Sequence, residues 1–110
     1  MKFLQLLLIV FAVGSSTPSY AVTVKGMRNC KAWAKSRAEQ PDPSVGNIVE
    51  SAWLAGYLSG VAVARNVDFL KGVDDDIIKS WMDHYCSSHP LALMGDAADA
   101  LSIELKKRMH

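Results

Sequence analysis

Six consecutive residues, His84-Tyr85-Cys86-Ser87-Ser88-His89, gather the side chains of this sequence best equipped to do chemistry. Two imidazoles and a thiol at this spacing are three of the four ligands that a structural zinc site requires. Either histidine is also close enough in sequence to activate Cys86 as a thiolate nucleophile. Both readings need a reduced Cys86. Cys30 is the chain's other cysteine, and in an oxidising compartment the two sulfurs have only each other to pair with. A bridged Cys86 is neither a ligand nor a nucleophile, which leaves His84 and His89 as solvated residues beside a disulfide. The chemistry of this stretch therefore depends on where the protein folds.

The N-terminal residues speak to that. Met1 to Ala21 places Lys2 before an apolar run from Phe3 to Val13, followed by small and turn-forming residues that end in Ser19-Tyr20-Ala21. That order is the positive, hydrophobic and cleavage-site succession of a secretory signal peptide, and the apolar run is short for a membrane span. The expectation is a signal over 1–21 and a mature domain over 22–110, exported to the periplasm or beyond and free of the membrane after cleavage. Subtracting 21 residues from 110 leaves 89, near the lower limit of what one hydrophobic core stabilises alone. A Cys30–Cys86 disulfide would add about 4 kcal/mol on the chain-entropy model.

Charge removes several classes of partner. Of 12 Lys and Arg and 11 Asp and Glu, only Lys2 lies in the signal, so 11 cations face 11 anions in the mature chain. No basic field exists to recruit nucleic acid. Asp74-Asp75-Asp76 lacks the alternating acids and terminal glutamate of a calcium loop, and fits better as the start of a helix, where carboxylates oppose the dipole. The other carboxylates form no local acid–base pair, with Asp99 and Glu104 assigned to a wet face. No metal, cofactor or enzymatic constellation is expected.

Periodicity gives helices, and the fold class expected is all-α, a compact bundle of about four helices with one disulfide. Cys30, Trp33, Ala34 and Arg37 share a face of the first, which ends before Pro41-Asp42-Pro43. The second runs from Ser44 as N-cap to about Arg65, and Ile48, Val49, Ala52, Trp53, Gly56, Tyr57, Gly60 and Val63 form its expected inward face. The third follows the aspartates with Ile77, Ile78, Trp81, Met82 and Tyr85 at core spacing. The fourth restarts after Ser88-His89-Pro90 with Met94, Ala97, Ala98, Leu101 and Leu105, and closes on Lys106-Lys107-Arg108, cations that suit a helix C-terminus. At least two of Trp33, Trp53 and Trp81 are expected to be buried.

Two features of the second helix and its exit point toward contacts. Ala52, Gly56, Gly60 and Ala64 recur every four residues, a ridge of small side chains against which a partner helix could pack closely, offsetting a propensity cost of about 1 kcal/mol per glycine. After the helix, Asp68, Phe69, Leu70 and Lys71 put apolar groups into a connector, where they serve either a protein partner or the end of the core.

Taken together, Cys30-x-x-Trp33, Trp53-x-x-Gly56-Tyr57-x-x-Gly60, and Trp81-x-x-x-Tyr85-Cys86-x-x-His89-Pro90 before an amphipathic last helix resemble the small exported proteins of the Rap/Tai immunity family of type VI secretion. The resemblance spans about Cys30 to Leu105. It implies a non-enzymatic binding module, often dimeric, that blocks the active site of a cell-wall amidase effector through loops on a rigid scaffold. Here the loops would be 40–46 and 66–73. The chain is also similar to HdeA-like periplasmic acid chaperones, small helical proteins with one disulfide around a Gly-Tyr helix, from which it differs in the long separation of its cysteines and in His89-Pro90. That second resemblance implies acid-induced loosening and capture of unfolding clients.

Overall fold

A computed structural model describes residues 22–109; the expected signal segment lies outside them. Four helices follow in order: α1 (Cys30–Ala38), α2 (Val45–Arg65), α3 (Asp75–Ser88) and α4 (Met94–Lys107). Among the described residues no strand forms, no helix is long and apolar enough to cross a membrane, and the all-α, disulfide-bridged architecture is as expected.

Local chemistry accounts for the boundaries. The Asn29 side chain accepts from the Ala32 amide at 2.8 Å and opens α1, and Ser44 accepts from the Asn47 amide at 3.0 Å and opens α2. Asn66, at φ 53°, ends α2 in a left-handed turn with its amide on Ala62 and Val63 carbonyls. The aspartates before α3 act by charge: Asp74 makes no side-chain cap, while Asp75 and Asp76 occupy the first turn. Lys106 and Lys107 occupy the last turn of α4.

The disulfide joins Cys30, at the start of α1, to Cys86, near the end of α3. A short antiparallel bridge between Asn29 and Leu93, with Cys30 N–H donating to the Ala92 carbonyl at 2.9 Å and Met94 N–H to that of Arg28 at 2.7 Å, fastens the same point to the start of α4. Around this knot α1 packs on α2 and α3, and α4 packs on α2 and α3. Met94, Ala97, Ala98, Leu101 and Leu105 are all buried, as their spacing requires. Trp33 is fully buried, whereas Trp53 and Trp81 are half-buried against the core, one fewer than expected.

α2 is turned from its expected orientation, although Trp53 and Tyr57 of the expected face stay half-buried against the core. Its inward face is Asn47, Glu50, Leu54 and Leu58, while Ile48, Val49, Ala52, Gly56, Gly60 and Val63 face outward. Nothing described lies within 4 Å of where a Cβ on Gly56 or Gly60 would stand, so no helix of this domain packs on the two glycines of the ridge. The two polar residues turn inward because each has a partner there. Asn47 Nδ2 donates to Ser36 Oγ at 3.1 Å, and Ser36 in turn donates to the Trp33 carbonyl. Glu50 Oε1 accepts from Arg28 Nε at 2.9 Å and from Nη2. The same hydrogen bond and charge hold the Arg28 pKa above its ordinary value.

Between α2 and α4, Tyr57 donates to Asp99 Oδ1 at 3.1 Å, so Asp99 is a structural acceptor and not surface decoration. Burial first, then the charge of Asp99, raise the Tyr57 pKa above 10.0. The neutral phenol is the form the fold prefers. Its contribution is complete below the unfolded pKa and is lost as pH rises through the higher folded one. Thermal melts between about pH 9 and 11.5 should therefore fall more steeply for the wild type than for Tyr57→Phe, which has no proton to lose; parallel curves would refute this.

Candidate functional site

The two candidate binding loops, 40–46 and 66–73, lie at opposite ends of α2. Residues 40–44 enter α2 and residues 66–74 leave it, and a 21-residue helix separates them by about 30 Å. The second loop also has little apolar surface to offer. Phe69 is 3% exposed and belongs to the core, Leu70 packs against it, and only Asp68 and Lys71 of the four face solvent. The left-handed Gly72, φ 72°, turns the chain so that Phe69 and Val73 reach Leu105 of α4. Capping the core is thus the role of Phe69.

A different concavity forms where α2 and α3 diverge over α1. Trp33 and Leu54 make its floor, Ser51, Ala52 and Ala55 its α2 wall, and Asp75, Ile78 and Lys79 its α3 wall. Its volume is about 210 Å³, below the roughly 300–1,000 Å³ of small-molecule pockets and suited to one bulky side chain. An apolar slot with charges of both signs on its rim has the anatomy of a protein-interface anchor site. No periodicity marked it, because it depends on the start of α3 lying beside the middle of α2. Its one sequence trace is the Ala52/Ala55 pair, whose small side chains leave the wall low.

The scaffold beneath the slot is held by charge. Asp83 of α3 accepts from Trp33 Nε1 at 2.8 Å and from Arg37 Nε and Nη2, both at 2.9 Å. The Asp83 hydrogen bond is the main reason the Arg37 pKa is raised, against the opposing effect of burial. This fork fixes the Trp33 ring that forms the floor. It also occupies Asp83, which borders an open depression on the outer side of α3 with Asp76, Trp81, His84 and Arg108.

The cysteine–histidine stretch is resolved by the bridge, since Cys86 carries no free thiol. His84 lies exposed in the α3 depression. His89 stacks on Tyr85 with centroids 4.2 Å apart, and Tyr85 on Trp81 at 5.1 Å. His89 Nδ1 lies 3.0 Å from the Tyr85 carbonyl; a carbonyl only accepts, so Nδ1 carries the proton. The ladder runs along the end of α3 to its cap at His89. Among the described residues no group of three His, Cys, Asp or Glu could hold a metal ion. Compared with known proteins, the chain matches no family model, no curated protein and no solved structure.

Proposed function

We propose that this protein is an exported binding module of the immunity type, which inhibits a secreted cell-wall amidase by docking on it. The observation that carries the reading is the slot between α2 and α3, preformed on a bridged scaffold and sized for a side chain. Export is favoured by the disulfide, which persists in oxidising compartments, and by the signal-like order of residues 1–21. The resemblance of the Trp-x-x-Gly-Tyr-x-x-Gly and Tyr-Cys-x-x-His-Pro elements to Rap/Tai proteins supplies the amidase as the partner class. Filling the slot with Ala55→Trp, a substitution on the exposed rim, should weaken binding to the cognate amidase at least about tenfold, since anchor pockets carry most of an interface's energy. Calorimetry against purified cell-wall amidases measures it. Unchanged affinity in a complex that does form would remove the slot from the interface.

A second reading, an HdeA-like acid chaperone, is favoured by Glu50. This carboxylate is 2% exposed, and its Oε2 has no partner among the described residues. In strong acid, at pH near 2, the excess positive charge left on the domain would loosen its helices by self-repulsion. Aggregation of an acid-labile client, followed by light scattering at that pH, tests it: suppression supports chaperoning and its absence rejects it.

A further inference from the structure

The size and polarity of the slot between α2 and α3 select what can enter it. A cavity of about 150 Å³ lined by apolar side chains holds one benzene ring. At about 210 Å³ the slot has room for such a ring together with the methylene that carries it. Its floor and its mouth differ in chemistry. The floor is Trp33 and Leu54, 0% and 1% exposed, and it has no polar group to offer. Trp33 Nε1 already donates to Asp83 at 2.8 Å. On the α2 wall, Ser51 Oγ donates along the helix to Asn47 Oδ1 at 3.4 Å, and the backbone groups beside Ala52 and Ala55 are engaged within α2. The charged groups stand at the mouth, where Asp75 is exposed and Lys79 half-buried one turn further along α3. Among the described residues neither enters an ion pair.

An apolar floor beneath a charged mouth suits a side chain that is apolar to its end and keeps its polar backbone outside. A phenol carried to that depth would strand its hydroxyl, and an indole would bring an N–H with the same need. A lysine or arginine would have to leave its charge at the mouth and could not fill the floor. Leucine meets the polarity but is smaller than the space, and the contacts it leaves unmade are lost outright. Of the large side chains, a benzyl group satisfies both size and polarity.

We infer that the slot is a receptor for a phenylalanine side chain, presented by the docking partner with its ring toward Trp33 and Leu54 and its backbone at the mouth beside Asp75 and Lys79. The inference rests on the reading of the slot as an interface anchor site and adds which residue the partner must present. Residues 22–110 are titrated with N-acetyl-phenylalaninamide, N-acetyl-tyrosinamide and N-acetyl-leucinamide, and the backbone amides are followed by NMR. The phenylalanine probe should shift Ser51–Ala55 and Ile78–Lys79 saturably, the tyrosine probe should bind at least about tenfold more weakly, and the leucine probe should also be weaker. Ala55→Trp, with its helical circular dichroism retained, should abolish the shifts; the ranking of the three probes is read on the wild type and does not depend on that variant folding. A tyrosine probe that binds as tightly as phenylalanine, or a phenylalanine probe that shifts nothing or only residues outside the slot, overturns the inference. Phenylalanine binding in the slot when no amidase associates upholds it and removes the amidase reading alone. An amidase that protects the slot while the phenylalanine probe leaves it unshifted does the reverse.

Discussion

Replacing both cysteines, Cys30→Ala with Cys86→Ala, is expected to lower the unfolding free energy of residues 22–110 by about 4 kcal/mol on the chain-entropy model. The bridge closes a loop of 56 residues in sequence separation that contains the whole of α2, so the unbridged denatured chain gains the freedom of most of the domain. Both sulfurs are buried at the point where α1, α3 and the Asn29–Leu93 bridge meet, and the variant forfeits that packing as well. For a domain of this size the loss approaches the total stability. Urea denaturation of the oxidised protein and the double variant measures it. A difference below about 1 kcal/mol would mean that the α1–α3 junction holds without its covalent tie.

Arg28→Ala is expected to be the most damaging single change at the protein surface, at about 3 kcal/mol, the lower end for breaking a buried pair because the Arg28 side chain is itself 42% exposed. The variant leaves Glu50 buried with neither oxygen partnered among the described residues. Removing both members, Arg28→Ala with Glu50→Leu, should be less harmful than removing Arg28 alone, since no stranded carboxylate remains. Denaturant titrations of the two single variants and the double variant complete the cycle. If the double variant proves as unstable as the sum of its parts, Glu50 does not depend on Arg28.

The contrast between the helices shows what the sequence could reveal. Ser44, Pro41-Asp42-Pro43 and the three aspartates mark boundaries through short-range chemistry, placing α2 where it lies and α3 at the aspartates, two of which form its first turn. The α4 stripe was equally legible, because its apolar residues alternate with Asp96, Asp99, Glu104 and lysines that could only face out or find a partner. α2 offered no such contrast. With apolar residues on every side, its periodicity was compatible with either face inward, and the decision fell to Asn47 and Glu50, whose partners Ser36 and Arg28 are 11 and 22 residues away. Tyr57 and Asp99, 42 residues apart, were hidden for the same reason. The slot between α2 and α3 was least legible of all: it is a gap between helices, and no residue announces an absence of packing. For Phe69 the sequence left a partner and the end of the core equally open, and the structure places it in the core.

Hydrogen–deuterium exchange of the bridged domain, residues 22–110, recorded alone and with each of a panel of purified cell-wall amidases, tests most directly whether the domain works by docking through its preformed slot. The result expected is that one amidase loses activity and slows exchange at Ser51–Ala55 and Ile78–Lys79, with residues 66–73 unaffected. Exchange unchanged by every amidase, or protection confined to the 66–73 loop, would contradict it.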